Sequence, residues 1–320
     1  MGKRIYLVTG GAGFIGSHIC ERLIKEGHHV RVIDNFFSGK DENLKGLGGE
    51  AELFRGDICD TRLVSEAMKD VHTVFHQAAL GSVPRSIADP RSTHESNITG
   101  TLNILLAARE LGVRRVVYAS SSSVYGETEE LPKREVMTPQ PLSPYALSKL
   151  AGEHYISVFN HVYKKKEDKK IEAVALRYFN IFGPRQDPEG QYAAVIPRFI
   201  TALLTGKRPV IYGDGKQTRD FTYVENAVEA NLLAAEAEGV AGRAFNIACG
   251  GSYNLLELLA KLNEIIGTNI EPVHEDARVG DIRDSYASID AARASLNYEV
   301  KVGFDAGLEK TVGWFKNRMA

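Results

Sequence analysis

The chain is predicted to form an α/β fold, a doubly wound parallel sheet followed by a smaller carboxyl-terminal lobe. Short apolar runs at residues 4–9, 29–33, 73–76 and 115–119 alternate with helical patterns, which is typical of such sheets. A glycine-rich turn directly follows the first run. A chain of 320 residues with 43% hydrophobic residues is long enough for a large core and an attached lobe.

The glycine-rich turn has the spacing of a dinucleotide-binding loop. Gly10, Gly13 and Gly16 stand between the strand predicted at 4–9 and a helix predicted at 17–26. This spacing suits a tight turn, a close backbone approach to a pyrophosphate, and close packing of the helix that follows. The turn therefore predicts a Rossmann-type sheet that binds a dinucleotide.

The end of the second predicted strand indicates which dinucleotide this is. Asp34 follows the strand at 29–33, about 20 residues after the glycines, where a carboxylate can accept hydrogen bonds from a ribose. A carboxylate at this place repels a 2′-phosphate. We therefore expect NAD rather than NADP, the alternative being that Asp34 is a plain turn residue.

Polar and small residues follow the next two strands. Asp57 and Ile58 come after the strand at 51–55, and this short acid could accept a hydrogen bond from the adenine amine or cap a helix. Gln77, Ala78 and Ala79 follow the strand at 73–76, where small side chains either let a cofactor pass close to the backbone or reflect tight packing.

A hydroxyl cluster follows the strand predicted at 115–119. It consists of four successive serines, Ser120, Ser121, Ser122 and Ser123. Four serines in a row are common in flexible turns, but here they end a buried strand at the edge where such sheets place their ligands. This position favours a functional interpretation.

A tyrosine and a lysine stand four residues apart at the start of a helix predicted at 145–162. This spacing places Tyr145 and Lys149 on one face of the helix. A phenol has an ordinary pKa of about 10, and a neighbouring ammonium favours the phenolate and so lowers that pKa. The pair on its own is weak evidence for a general base, and it gains weight from the preceding motifs.

Taken together, these motifs resemble the extended short-chain dehydrogenase/reductase superfamily over nearly the whole chain. The resemblance includes Asn97 in addition to the residues above. It implies a catalytic triad in which Ser121 supplies the hydroxyl, Tyr145 is the acid and base, and Lys149 lowers the tyrosine pKa and holds the nicotinamide ribose. The cofactor site that it implies consists of Gly10, Gly13, Phe14, Ile15, Gly16, Asp34, Asn35, Ser38, Gly39, Asp57, Ile58, Gln77, Ala78, Ala79, Asn97, Ser120, Tyr145, Lys149 and Phe179.

Within this superfamily, the serine cluster helps to choose the reaction. Sugar-nucleotide 4,6-dehydratases carry an Asp-Glu pair where this chain has Ser122 and Ser123, and the related decarboxylases carry a glutamate nearby. Both are therefore disfavoured. The remaining reaction is 4-epimerisation, in which Tyr145 takes the proton of the sugar 4-hydroxyl while a hydride passes to a tightly held NAD and then returns.

The carboxyl-terminal half resembles the substrate site of UDP-sugar 4-epimerases. In that family Asn180 corresponds to a substrate contact and Phe179 to a residue near the nicotinamide, although core packing would equally explain a phenylalanine. Arg219 and Arg278 match two arginines that hold the pyrophosphate. Tyr212, in the segment 210–213, matches the lining of the uracil site.

The resemblance is narrowest to bacterial and archaeal UDP-N-acetylhexosamine 4-epimerases, through residues 79–86, 186–197 and 280–285. Ser285 stands where epimerases restricted to glucose and galactose have a bulky aromatic residue. A small residue leaves room for an acetamido group, but a shift of one residue would place Tyr286 there and reverse the preference. The substrate site implied in this way consists of Gly81, Ser82, Ser121, Ser122, Ser123, Tyr145, Asn180, Ala194, Val195, Tyr212, Arg219, Arg278, Asp281 and Ser285.

The family also implies the domain organisation. Residues 1–180 are predicted to form the NAD-binding domain, and residues 181–320 mainly the nucleotide-sugar-binding lobe. Core strands are expected to return near 218–250, with one strand at 243–248, so that the boundary is discontinuous. Apolar stripes on the helices at 97–111 and 145–162 match a four-helix interface that usually makes such enzymes homodimers; they could also be core.

Composition agrees with a small-molecule enzyme. A net charge of −2 gives no reason to expect binding to nucleic acid or a membrane. Three widely spaced cysteines and nine histidines without metal-ligand spacing favour a reducing compartment and no metal site. The chain shows neither a charged leader with an apolar segment nor a long apolar run, so a cytoplasmic location is expected.

Two alternatives remain open at this stage. One is a UDP-uronate 4-epimerase, which would need a partner for the C6 carboxylate, and Arg85 is a candidate for that role. The other is a non-catalytic NAD-binding regulator of the same fold, although a regulator would be expected to lack the tyrosine or the lysine.

Overall fold

The computed structural model describes residues 2–47, 51–128, 130–163, 171–189, 193–276 and 283–319. Its strands are β1 Ile5–Thr9, β2 His29–Asp34, β3 Ala51–Arg55, β4 Thr73–His76, β5 Arg115–Ser121, β6 Glu172–Tyr178, β7 Ile181–Phe182, β8 Val210–Tyr212, β9 Thr218–Arg219, β10 Thr222–Tyr223, β11 Ala244–Ile247, β12 Tyr253–Asn254, β13 Val273–Glu275 and β14 Asp284–Ser285. Its α-helices are α1 Phe14–Lys25, α2 Asp41–Lys45, α3 Thr61–Ala67, α4 Val83–Ala88, α5 Pro90–His94, α6 Gly100–Glu110, α7 Pro144–Tyr163, α8 Val195–Leu204, α9 Val224–Glu236, α10 Leu255–Ile266, α11 Asp290–Leu296 and α12 Phe304–Met319.

Within these ranges, seven strands form one parallel sheet in the order β11-β6-β5-β4-β1-β2-β3. The predicted Rossmann-type fold class is confirmed. In register, Thr9 at the end of β1 pairs with Ile33 of β2 and with His76 of β4. The residues that follow these strands therefore meet at one edge of the sheet, where doubly wound folds bind their ligands.

The core lies on both faces of this sheet, because alternate side chains of a strand point to opposite faces. One cluster includes Val8, Val117 and Phe179, and the other includes Leu7 and Val116. Strands that are covered on both faces read as continuous apolar runs. This is why the predicted strand positions lie so close to the observed ones.

Two helices differ from their predicted bounds in ways that matter for the site. The helix predicted at 17–26 begins three residues earlier, at Phe14, because Gly13 takes the extended conformation of an N-cap. The helix predicted at 97–111 is not continuous. Glu95–Thr99 is a π-helical turn, and α6 begins after it at Gly100.

The carboxyl-terminal half contributes small sheets beside the large one. β9 lies between β12 and β14, and β8 pairs with β13. The chain also returns to the main sheet, since β11 pairs with β6. The division into two domains at these points stays a prediction. None of the helices in the described ranges is long and apolar enough to cross a membrane.

Candidate active site at the carboxyl edge of the sheet

A cavity of about 710 Å³ opens at the carboxyl edge of the main sheet. It extends from the glycine-rich turn past β2 and β4 to the amino-terminal turn of α7. The predicted residues on its walls are Gly10, Gly13, Phe14, Ile15, Gly16, Asp34, Asn35, Ser38, Asp57, Ile58, Gln77, Ala78, Ala79, Gly81, Ser82, Ser120, Tyr145, Lys149 and Ala194.

The glycine-rich turn lies too close to its neighbours for side chains. Gly10 has φ +69°, and a Cβ atom there would lie 2.8 Å from the amide nitrogen of Ala78. A Cβ atom on Gly16 would lie 2.2 Å from the Gly10 carbonyl oxygen. Backbone amides and the amino terminus of α1 therefore line the cavity, which is an arrangement that suits a pyrophosphate.

Asp34 presents a buried carboxylate to the same cavity. Its Oδ2 accepts a hydrogen bond from the Ala12 amide at 2.9 Å, and its Oδ1 accepts one from the Phe36 amide at 2.8 Å. Burial raises the pKa of Asp34 above its ordinary value, while these two amides oppose that shift. A carboxylate has about four acceptor positions, so two remain for ribose hydroxyls.

Gly39 supports this carboxylate without lining the cavity. A Cβ atom at Gly39 would lie 2.8 Å from Oδ1 of Asp34. The glycine therefore packs against the acid and lets the chain after β2 pass close to it.

Asp57 and Gln77 are both fixed by side-chain partners. Asp57 Oδ2 accepts from Asn35 Nδ2 at 2.7 Å, and its Oδ1 accepts from the Cys59 amide at 2.8 Å. Gln77 Nε2 donates to the Tyr178 hydroxyl at 3.2 Å and to Asn231 Oδ1 at 3.1 Å. Hydrogen bonds within the protein therefore hold both side chains on the cavity wall.

The first turns of α7 carry Tyr145 and Lys149 on the face towards β5. Lys149 Nζ donates to the Ala119 carbonyl at 2.8 Å and lies 5.9 Å from the centroid of the Tyr145 ring. Burial lowers the pKa of Lys149 to about 7. The ammonium therefore gains and loses its proton near neutral pH, in contrast to an exposed lysine.

The pKa of Tyr145 shifts in the opposite direction from the one expected. Burial raises it above the ordinary value, and a hydrogen bond with Ser121 only partly opposes this rise. Ser121 is itself fixed, because its Oγ accepts from the amide and from the Oγ of Ser123, at 3.2 and 2.9 Å. The expectation of a lowered Tyr145 pKa is therefore wrong when only the residues of this chain are considered. Desolvation has a larger effect on this pKa than Lys149, because the Lys149 ammonium points towards the Ala119 carbonyl.

A buried ion pair holds α7 against β5 and β6. Arg177 donates through Nε and Nη2 to the two carboxylate oxygens of Glu153, at 2.9 and 2.7 Å. Glu153 also accepts from Ser120 Oγ, and Arg177 Nη1 donates to the Tyr125 hydroxyl at 2.8 Å. Glu153 stands one turn after Lys149, so this pair fixes the helix face that carries the catalytic residues.

Asn97 lies beneath the cavity and not on its wall. Its Oδ1 accepts from the Leu80 amide at 2.7 Å, and its Nδ2 donates to Ser148 Oγ at 3.0 Å. The residue is buried in the π-helical turn, a feature that often marks functional sites. It therefore connects the loop after β4 to α7, and a direct cofactor contact stays a prediction.

A second, smaller cavity of about 270 Å³ adjoins the first. Among the predicted substrate residues, Asn180, Ala194, Val195, Tyr212 and Arg219 line it. Both cavities share Gln186, Ala193 and Ala194 on their walls. A ligand that spans the two would place one end beside Tyr145 and the other beside Arg219.

The remaining predicted residues lie elsewhere. Phe179 is fully buried in the core with its ring centroid 6.2 Å from that of Tyr125, so the structure favours the packing role over a place beside the nicotinamide. Ser121, Ser122, Ser123 and Ser285 lie beside the cavities and not among their lining residues. Arg278 and Asp281 fall outside the described residues.

Several wall residues were not predicted. Tyr178 could have been found, because it follows β6 at the ligand-binding edge of the sheet. Asp187 and Glu189 lie in a segment after β7 whose path the sequence does not indicate. Nowhere in the described ranges do three or more histidine, cysteine or acidic side chains form a group that could hold a metal ion.

Comparison with known proteins decides the family. A model described as the NAD dependent epimerase/dehydratase family matches residues 6–248. The chain belongs to that family. The match includes the glycine-rich turn, Asp34, and the Tyr145 and Lys149 pair, so the predicted NAD dependence is confirmed, and the walls described above fit this cofactor.

The relatives have similar lengths and related activities. A putative UDP-glucose 4-epimerase of Methanocaldococcus jannaschii is 39% identical over 313 residues, which cover 97% of this chain and 98% of the relative. The solved UDP-N-acetylglucosamine 4-epimerase from Methanobrevibacter ruminantium, in complex with UDP-N-acetylmuramic acid, is 40% identical with a TM-score of 0.94, over 100% of both chains. The UDP-glucuronic acid 4-epimerase from Bacillus cereus, in complex with UDP-glucuronic acid and NAD, is 33% identical with a TM-score of 0.89, over 98% of this chain and 99% of the other. The expectation of an NAD-dependent UDP-sugar 4-epimerase is confirmed.

Proposed function

We propose that this enzyme interconverts UDP-N-acetylglucosamine and UDP-N-acetylgalactosamine, and also UDP-glucose and UDP-galactose. One observation carries the choice of sugar. In the parallel pairing of β14 with β9, Ser285 is the partner of Arg219, and directly paired residues project to the same face. The small serine, and not Tyr286, is therefore on the face of the sheet that carries the cavity-lining arginine.

The neighbouring pair supports this alignment. Asp284 is the partner of Thr218, and the Thr218 hydroxyl donates to Asp284 Oδ1 at 2.6 Å on the other face. A register shifted by one residue would reverse both faces. The small residues Gly81, Ser82 and Ala194 line the larger cavity, which supports the proposal of space for an acetamido group there.

The proposed chemistry uses Tyr145 on the wall of the larger cavity and its hydrogen-bond partner Ser121. Tyr145 removes the proton of the sugar 4-hydroxyl, and Ser121 donates or accepts the hydrogen bond that keeps this oxygen in place. NAD, when bound, supplies the acceptor and the later donor of the C4 hydride. The 4-keto sugar, which is planar at C4, rotates to present its opposite face, and Tyr145 returns the proton to the oxygen.

The ligands of the substrate diphosphate belong to the same proposal. Arg219 lines the smaller cavity and offers the planar donors that suit a diphosphate. Arg278 is proposed to complete this site, and Asp281 is proposed as a further substrate contact that does not bind the diphosphate. Tyr212 and Asn180 would bound the nucleoside and the sugar, respectively, from the walls of the smaller cavity.

Incubation of the purified protein with each sugar nucleotide, without added NAD, tests this proposal. We expect UDP-N-acetylglucosamine to be converted to an equilibrium mixture with UDP-N-acetylgalactosamine, detected by NMR or ion-exchange chromatography. Conversion of UDP-glucose alone would refute the proposed acetamido pocket. Failure of both substrates, even with NAD supplied, would refute this choice of sugars and favour the uronate alternative.

Replacing Ser285 by tyrosine should separate the two substrates. A phenol ring on the face of Arg219 would occupy the acetamido space, so we expect kcat/KM for UDP-N-acetylglucosamine to fall by at least about 10-fold. The kcat/KM for UDP-glucose should be spared, because this sugar has only a hydroxyl at C2. Tyr286→Ser is the matched control, and an equal loss of both substrates in Ser285→Tyr would count against the assignment.

A UDP-uronate 4-epimerase is the second candidate, and one observation favours it. Arg85 lines the larger cavity, with its guanidinium carbon 5.0 Å from the centroid of the Phe37 ring. A cation on this wall could hold a sugar carboxylate. Offering UDP-glucuronic acid in the same assay decides between the candidates, since the main proposal predicts little conversion of it.

We also propose that the enzyme is a homodimer. Leu147, Val158 and Val162 on α7 are each more than half exposed, which leaves apolar surface along this helix. Light scattering after size-exclusion chromatography tests the proposal. A mass close to 35.2 kDa, the mass of one chain, would refute it.

A further inference from the structure

Asp220 is a buried carboxylate outside both cavity walls. It stands between β9 and β10 and is fully buried. Its Oδ1 accepts from the Cys249 amide at 2.9 Å, and its Oδ2 accepts from the amides of Gly250 at 3.0 Å and Ala287 at 3.4 Å. Among the described residues, its hydrogen-bond donors are thus backbone amides from two separate segments.

These two segments adjoin β12 and β14, the strands on either side of β9. Residues 249–250 precede β12, and Ala287 follows β14. The Asp220 amide also donates to the Ser285 carbonyl at 2.8 Å. Asp220 therefore connects the three strands of this small sheet next to Arg219, which lines the smaller cavity.

The ionised group is costly to bury, so global stability alone does not account for it. Burial raises the pKa of Asp220 to about 6, against the effect of the amides. Burying a carboxylate costs free energy unless hydrogen bonds or a cation offset its lost hydration. A better explanation is that the Asp220 carboxylate fixes one arrangement of the short segments beside β12 and β14.

We propose that Asp220 is a positioning residue for the nucleoside diphosphate part of the substrate, acting through Arg219 and β14. The inference rests on the proposed UDP-sugar substrate. It makes Asp220 important for substrate affinity and not for proton transfer, because Tyr145 and Lys149 belong to α7 and are fixed by Glu153 and Arg177.

The test compares Asp220→Asn with Asp305→Asn in the full-length enzyme. Asp305 is an exposed acid in the same half of the chain, paired with Lys261, and its replacement removes the same charge. The asparagine at 220 has one acceptor oxygen in place of two, so at least one backbone amide loses its partner. We expect the Kd for UDP, measured by calorimetry, to rise about 10-fold or more in Asp220→Asn and to stay unchanged in Asp305→Asn.

Three further readouts separate positioning from a general structural role. We expect the bound NAD content and kcat at saturating substrate to be unchanged in Asp220→Asn, while KM rises in parallel with the Kd for UDP. An unchanged Kd, or a loss of kcat without a change in KM, would overturn the inference. Failure of the unaltered enzyme to bind UDP would instead refute the proposed substrate class.

Hydrogen exchange in the unaltered enzyme keeps the inference testable if Asp220→Asn does not fold. Addition of UDP should slow exchange in peptides that contain the amides of Cys249, Gly250 and Ala287, because the ligand selects the ordered arrangement of the three strands. Protection of the segment 194–212 without any change in these peptides would show that Asp220 does not serve the diphosphate site.

Discussion

Replacing Tyr145 by phenylalanine is expected to lower kcat at least about 10³-fold while NAD stays bound to the protein. The phenol is the proposed acid and base, and phenylalanine removes its hydroxyl while it keeps the ring. Its ring and its neighbour Lys149 keep their places, so the cofactor walls do not change. Product formation by NMR and NAD released on denaturation measure the two effects.

Tyr155→Phe is the matched control, since it removes a hydroxyl from the same helix and should keep full activity. The predicted pattern is specific to a catalytic hydroxyl. Turnover within a factor of about 10 of the unaltered enzyme would show that another group carries the proton. Loss of NAD together with turnover would mean that Tyr145 acts mainly through the cofactor site.

Replacing Arg177 by methionine is expected to lower the free energy of unfolding by about 3–5 kcal/mol. Arg177 and Glu153 are both buried, with 5% and 8% of their side chains exposed. Methionine fills much of the arginine volume but leaves the Glu153 carboxylate without the two guanidinium donors. Urea denaturation of the NAD-loaded enzyme measures the change.

Arg55→Met provides the comparison for an exposed ion pair. Arg55 and Asp41 each have 57% of the side chain exposed, so we expect a loss below about 1 kcal/mol. Restoring stability in the double variant Arg177→Met with Glu153→Gln would support the explanation that the unpaired charge is the cause. A loss of similar size at positions 55 and 177 would contradict it.

Much of the cofactor side of the site could be predicted because its signals are local. The glycine spacing, the acid at the end of β2 and the four-residue spacing of Tyr145 and Lys149 each depend on one strand, turn or helix. Parallel pairing then brings these short motifs together at one edge, as the register of β1 with β2 and β4 shows. The observed walls therefore contain most of the residues that were expected there.

The remainder depends on long-range contacts that no local pattern encodes. Tyr178 meets Gln77 across 101 positions of sequence, and Asp220 meets the Ala287 amide across 67. The direction of the Tyr145 pKa shift was also missed, because it depends on the depth of burial and on where the Lys149 side chain points. The family resemblance implied that Phe179 lies near the nicotinamide, but its side chain is buried in the core.

Epimerisation of UDP-N-acetylglucosamine in D₂O distinguishes hydride transfer from deprotonation at C4. We expect UDP-N-acetylgalactosamine without deuterium at C4, because Tyr145 exchanges only the hydroxyl proton and the hydrogen on carbon never reaches solvent. Deuterium at C4 of the product, seen by NMR or mass spectrometry, would mean that the carbon itself is deprotonated. That result would contradict the oxidation and reduction route and the role given to Tyr145.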